Sequence, residues 1–469
     1  MPAADQLDFL SAHALRALVA RREVSPVELT RRALDKAEAT QATLNAFCVL
    51  MADEAMAQAR VAEDAVMAGA PLGLLHGLPF SAKDLMAVKG MRYASGSRAM
   101  ADNIAQVDAP AVERARAAGA ILIGKTTTSE FGCKPIGDSP LTGITRNPWN
   151  LAMTPGGSSA GAAASVAAGV TPFALGTDGG GSIRIPCALS GLSGLKGQFG
   201  RVPVWPTSAT PTLAHVGPIA RSMADAALLF AAVAGFDRRD PFAVAGPVPD
   251  VLGAAEASVA GMRVAYSPTF GYARPTAEVR AATDAAAAVF EQLGCRVDLV
   301  EQVFDTDPAD LWTAEFYAGV GTRLRDVLEN RRDLLDPAVA DILAPALSQE
   351  MKGYYASVFE RYALREKMRG FFETYDLLIS PVLPVSALEA GRNLPEGLED
   401  RNLVSWVFYT YPFNLTGQPA GAVCAGLSSE GMPIGLQIVG RSHREDDVVR
   451  AACAFERTRP PGYNRPPAA

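Results

Sequence analysis

Thr154 to Arg184 reads TPGGSSAGAAASVAAGVTPFALGTDGGGSIR. Ser158 to Ala168 is a run of small residues closed by Gly169, which predicts a closely packed helix ending at a glycine cap. Pro172 to Gly176 follows as a short buried strand. Asp178-Gly179-Gly180-Gly181 then turns that strand towards a second helix behind Ser182. Helix, strand and glycine turn in immediate succession place the chain in the α/β class.

The flanking sequence extends the pattern. Upstream, Gly77 to Ala82 and Ala120 to Ile123 read as strands, with a helix opened by Asp108-Ala109-Pro110 and ended at Gly119 between them. The first seventy residues read as helical, because Ser25-Pro26-Val27-Glu28 is a capping box and Leu29, Ala33 and Ala37 recur at helical spacing. Downstream, residues 237–275 are rich in proline, glycine and alanine and read as a surface excursion. Residues 276–375 are mainly helical. Asp376 to Ser380 is a strand stopped by Pro381, and Ala420 to Leu427 with Ile434 to Val439 form a hairpin across Ser428-Ser429-Glu430-Gly431. A last helix, Asp446 to Glu456, precedes a proline-rich tail. These segments predict a central twisted mixed β-sheet covered on both faces by helices. They form one domain over 1–469, divided into an N-terminal helical segment (1–70), a core (71–235), an excursion with a helical region (236–375) and a C-terminal sheet and helix (376–469).

Composition narrows the function. With 43 basic and 50 acidic residues the net charge is −7, which argues against a phosphate-backbone binder. The N-terminus lacks a basic region followed by an apolar run, and no stretch approaches a membrane span, so a cytoplasmic protein is expected. Six cysteines are scattered without C-x-x-C spacing, as reduced thiols would be. The four histidines, His13, His76, His215 and His443, fit neither a zinc motif nor a Ser-His-Asp triad, so they read as surface or packing residues, and no metal or cofactor is expected.

Two letter-perfect motifs are decoys. Gly119 to Thr126 matches G-x-x-x-x-G-K-[ST], but its variable positions are an apolar strand rather than a phosphate loop. Ser193-Gly194-Leu195-Lys196 matches S-x-x-K without the companion motifs.

The chemistry concentrates in three side chains. Ser182 follows three glycines, whose backbone freedom lets successive N–H groups converge on one point, where a tetrahedral oxyanion would lie. A strand-to-helix turn with an N-capping serine accounts for the same residues equally well. Ser158 after Gly156-Gly157 is, on its own, an ordinary N-cap. Lys83, in GLPFSAKDL, is on its own a snorkelling lysine, or else a buried one with a depressed pKa able to act as a base. A serine needs such a base to become nucleophilic, and histidine is scarce here.

Taken together, GLPFSAKDL, GKTTTSEFG, NPWN, TPGGSSAG, GTDGGGSIRIP, YPFNLTGQPA and MPIGLQIVG, in that order, resemble the amidase signature family over nearly the whole chain. The resemblance implies Ser182 as nucleophile, Ser158 as bridging serine after a cis Gly157-Ser158 bond, and Lys83 as base. It also implies an oxyanion hole made by the N–H groups of Gly179, Gly180, Gly181 and Ser182. Asp178 and Arg184 are expected as a structural pair fixing the loop, with Thr177 in the same network. Ala160 stands where glycine is commoner in the family. The implied activity is hydrolysis of a small carboxamide through an acyl-enzyme. Trp205, Phe131, Phe316, Tyr317, Trp406 and Phe408 are candidates for lining an aryl or alkyl pocket, about half of them being expected in the core. The rival readings are the glutaminase subunit of a tRNA-dependent amidotransferase and a silent binding protein on the same scaffold. Expected partners are a small-molecule amide and, from the prevalence of symmetric pairs, a second copy in a homodimer, with neither nucleic acid nor membrane.

Overall fold

The computed structural model describes residues 7–467. Eleven short segments form one sheet: β1 (Phe47–Leu50), β2 (Pro79–Lys83), β3 (Ile121–Thr126), β4 (Phe173–Asp178), β5 (Ser193–Lys196), β6 (His215–Ala220), β7 (Arg263–Tyr266), β8 (Arg296–Leu299), β9 (Leu377–Pro381), β10 (Ala420–Leu427) and β11 (Pro433–Gly440). Their spatial order is β1-β3-β2-β4-β6-β5-β10-β11-β9-β7-β8. The pairs β2–β3, β2–β4, β7–β9 and β7–β8 are parallel and the remainder antiparallel, so the sheet is mixed.

The helices that matter for the site are α1 (Pro26–Leu44), α2 (Ala160–Ala167), α3 (Arg184–Ser190), α4 (Met223–Val233), α5 (Ala309–Arg323) and α6 (Glu445–Glu456). The capping box at the start of α1 is realised, with Ser25 Oγ accepting from the Val27 N–H at 2.9 Å. Strand alternation sends Leu436 and Ile438 into an apolar layer with α4 and α6, and Val439 into an opposite layer with α2, α3 and α5. Both faces are thus covered, as an α/β sheet with parallel members requires. Among the described residues no helix is long and apolar enough to cross a membrane.

Three strands lie where the sequence pattern reads otherwise. β1 interrupts the helical first seventy residues and pairs with β3 at the sheet edge. β7 lies inside the supposed surface excursion, yet Val264, Ala265 and Tyr266 are buried between β9 and β8. β8 lies in the region read as mainly helical. Each spans only four residues and is held by its neighbours' backbone, so local periodicity carries no trace of it.

Parallel pairing positions the site. Ala82 of β2 lies opposite Leu175 of β4, so both strands end together and bring Lys83 and Thr177 to one edge of the sheet. In open α/β sheets, functional crevices form outside such carboxyl ends.

Candidate active site

Lys83 is fully buried at the end of β2. Its Nζ is hydrogen-bonded to Ser158 Oγ at 2.7 Å and to Thr177 Oγ1 at 2.8 Å. Neither partner is charged. Burial therefore pushes the amine well below the ordinary lysine value of 10.5, against a weaker upward pull from the Asp178 carboxylate. The snorkelling alternative does not describe this side chain.

Ser158 follows a cis peptide bond from Gly157, as the resemblance implies. The helix behind it begins two residues later, and neither Ser158 nor its neighbour Ser159 makes a side-chain cap to α2. Ser159 bonds elsewhere, its Oγ donating to the Thr177 carbonyl at 3.3 Å and accepting from the Thr177 N–H at 3.4 Å. That pins the start of α2 to the end of β4.

Ser182 is half-buried in the turn between β4 and α3, and it does not cap α3, whose flanking residue is Ile183. Ser158, Thr177, Gly179 and Ser182 all line one cavity of about 450 Å³. Backbone crowding explains the glycines. A Cβ on Gly180 would come within 2.7 Å of the Trp312 ring, and Gly181 has φ +136°, where side chains are strained. The turn is held from outside by Trp312 Nε1 donating to the Gly179 carbonyl at 2.8 Å and Thr410 Oγ1 donating to the Gly180 carbonyl at 2.6 Å.

One expected oxyanion donor is corrected by this geometry. The Gly181 N–H donates to Asp178 Oδ1 at 2.8 Å, because the turn folds back over that carboxylate. The N–H groups of Gly179, Gly180 and Ser182 have no acceptor among the described residues.

Asp178 and Arg184 form the anticipated pair, both fully buried and 2.9 Å apart. Burial resists ionisation of Asp178, but the Arg184 guanidinium overrides it and holds the carboxyl well below the usual carboxylate range. Arg184 also donates to the Thr410 carbonyl, Gln437 Oε1 and Asn414 Oδ1 at 2.9, 2.7 and 2.6 Å. Asn414 Nδ2 returns a bond to Asp178 Oδ1 at 2.8 Å. Residue-by-residue reading missed Ser159, Thr410, Asn414 and Gln437. Asn414 and Gln437 sit inside the quoted YPFNLTGQPA and MPIGLQIVG segments, so the signal was present without a role attached to it.

Of the six candidate aromatics, Phe131, Trp205 and Phe316 line the cavity, while Tyr317, Trp406 and Phe408 are buried in the core. His215 is buried beneath the turn. Burial drives its ring well below the ordinary histidine value, and Nδ1 lies 2.8 Å from the Leu213 carbonyl, which makes it a donor in the neutral ring. Among the described residues no group of three or more His, Cys, Asp or Glu side chains could hold a metal ion. Both decoys dissolve. Residues 121–126 are strand β3 with Lys125 ion-paired to Asp84 at 2.6 Å, and Ser193 and Lys196 lie three apart on β5. That spacing aims their side chains at opposite faces of the sheet.

Comparison with known proteins identifies the family. The Amidase family model matches residues 28–449. An acylamidase of Rhodococcus erythropolis is 36% identical over 471 residues, covering 98% of this chain and 98% of that protein. A glutamyl-tRNA(Gln) amidotransferase subunit of Geobacter sp. strain M21 is 34% identical, covering 96% of this chain and 97% of that protein. A solved structure of a bacterial aryl acylamidase of the amidase signature enzymes superposes with a TM-score of 0.92 at 31% identity, covering 98% of this chain and 99% of that one. With a family model spanning most of its length and relatives above 30% identity over nearly all of it, the chain belongs to the amidase signature family of amide hydrolases.

Proposed function

We propose that the protein is a free-standing amidase that cleaves a small carboxamide with an aryl or alkyl body to a carboxylate and an amine or ammonia. The observation that carries this reading is the buried amine of Lys83 in hydrogen-bond contact with Ser158 on the wall that also presents Ser182. A neutral Lys83 takes the Ser158 proton while Ser158 takes that of Ser182. Ser182 Oγ bonds to the amide carbon, and the N–H groups of Gly179, Gly180 and Ser182 hold the oxyanion. The C–N bond then breaks as the proton returns along the same path to the leaving nitrogen. Water, deprotonated by the same relay, releases the acid and restores Ser182. Thr177 accepts a hydrogen bond from Lys83 and orients it, while Asp178 and Arg184 hold the turn.

The whole chain acts as one catalytic unit in this reading. Six unpaired cysteines fit a reducing, cytoplasmic setting, and a homodimer remains the expected assembly. A glutaminase subunit is the second reading, favoured by the amidotransferase relative. The cavity speaks against it. A free amino acid presents an ammonium and a carboxylate, whereas the one acidic side chain on these walls, among the described residues, is Asp178, already bound by Arg184.

The test is ammonia and amine release by the purified single chain from aliphatic, aromatic and amino-acid amides including glutamine, beside Ser182→Ala. Turnover of simple anilides or alkylamides that disappears in Ser182→Ala is expected. Turnover of glutamine alone, or only in the presence of a partner subunit, would overturn the proposal in favour of the second reading.

A further inference from the structure

The cavity is apolar over most of its wall, with one basic side chain that lacks an acidic partner among the described residues. We infer that Arg323 forms an anion-accepting subsite, and that the substrate carries a carboxylate or sulfonate at the end remote from the scissile amide. This rests on the amidase reading above and specifies its substrate class.

Phe316, Val320 and Arg323 recur on α5 at positions i, i+4 and i+7, and all three line the cavity. At its lower end this stripe touches the reacting centre, since the Phe316 ring lies 2.7 Å from where a Cβ on Gly179 would stand. Seven residues at the helical rise carry Arg323 about 10 Å farther along the axis. The walls also include Met86, Met100, Val204 and Leu324, which offer nothing to a charge. At the far end Arg323 Nη1 donates to the Thr207 carbonyl at 3.0 Å, which fixes the side chain against the opposite loop. Among the described residues Arg323 has no carboxylate within ion-pair reach, and it is exposed at the cavity rim, so its remaining donors face solvent and are free to meet a ligand. A planar guanidinium held by one bond and open on its other edge matches a carboxylate or sulfonate in two-point contact. The same charge disfavours substrates with a distal ammonium.

The test compares two matched pairs of anilides on the full chain. One pair is the monoanilide of octanedioic acid and the ω-hydroxy anilide of the same chain length, placing the charge on the acyl side. The other is an N-acetylated aminophenyl-alkanoate and its hydroxyl counterpart, placing the charge on the amine side. For at least one pair the acid is expected to show a KM roughly fivefold below its neutral match. That ratio is expected to fall to about one in Arg323→Gln, to return in part in Arg323→Lys, and to shrink at high ionic strength. The same ratio read as Kd by calorimetry on Ser182→Ala protein makes the result independent of turnover. Ratios near one for both pairs in the unsubstituted protein, or a ratio unmoved by Arg323→Gln, overturn the inference. Serine-dependent cleavage of the neutral anilides would still stand in that case, so failure of the subsite and failure of the amidase reading are separable.

Discussion

Lys83 and Lys125 are both fully buried lysines on neighbouring strands, β2 and β3, with Ala82 paired opposite Lys125. Their surroundings diverge. Lys125 meets the Asp84 carboxylate at 2.6 Å and the Arg92 carbonyl at 2.6 Å, and its ammonium lies over the Tyr93 ring. Lys83 meets two hydroxyls and no carboxylate. Lys125 is thus ion-paired, whereas burial among neutral hydroxyls favours the uncharged form of Lys83. Two residues of one type on adjacent strands therefore serve opposite ends, one as structural cation and one as candidate base.

The sharpest way to break this comparison is to substitute each lysine by methionine. Lys83→Met is expected to lower kcat by about a thousandfold or more, measured as amine release from an anilide. Lys125→Met leaves Asp84 buried without its cation and is expected to lose about 3–5 kcal/mol of stability in urea unfolding, with a far smaller loss of turnover per folded molecule. The two thermal shifts are expected to have opposite signs. Between its lowered folded value and 10.5 the unfolded chain protonates Lys83 while the folded chain keeps it neutral, so burial of Lys83 subtracts stability increasingly as pH falls through that window. Removing the amine is then expected to raise Tm by on the order of a degree. Turnover near the unsubstituted level in Lys83→Met would end the assignment of that residue as base.

The second effect in size is Asp178→Asn. Arg184 would lose its counter-charge in a fully buried site, with an expected destabilisation of about 3–5 kcal/mol and loss of the turn that presents Ser182. Third, Ser158→Ala is expected to lower kcat by about a hundredfold, less than Lys83→Met, since water can occupy part of the proton path. The pH profile follows. kcat/KM is expected to fall on the acid side as Lys83 gains its proton, with the midpoint well below 10.5. The smallest effect expected is that of Thr177→Val, a loss of about tenfold or less. Without the Thr177 oxygen the ammonium form loses an acceptor, so the acid limb moves to lower pH. A limb that moves upward would reverse the role given to Thr177.

How far the sequence foretells this site follows from the same physics. Glycines, small residues and an apolar lysine context are local devices, so Lys83, Ser158 and Ser182 are legible as candidates, and the segments carrying them sit within a few residues of their expected bounds. Arg263–Tyr266 is illegible because its four residues derive their strand character from β9 and β8 on either side. The Gly181 N–H is lost to prediction for another reason: its partner is decided by the fold of the turn over Asp178, not by the letters GGG. Arg184 looks locally like a partner of Asp178 alone, yet most of its donors go to residues more than two hundred positions away.

The far-reaching contacts of Arg184 bear on how the enzyme is made. Chains leave the ribosome amino end first. Lys83, Ser158 and Ser182 therefore emerge long before Thr410, Asn414 and Gln437, the residues that lock the turn presenting Ser182. The nascent polypeptide at that stage carries all three candidate side chains but lacks the clamp that sets them, and it is expected to stay silent until residues 410–437 arrive and dock. A product cut short before residue 410 would hold Lys83, Ser158 and Ser182 together and is expected to hydrolyse nothing.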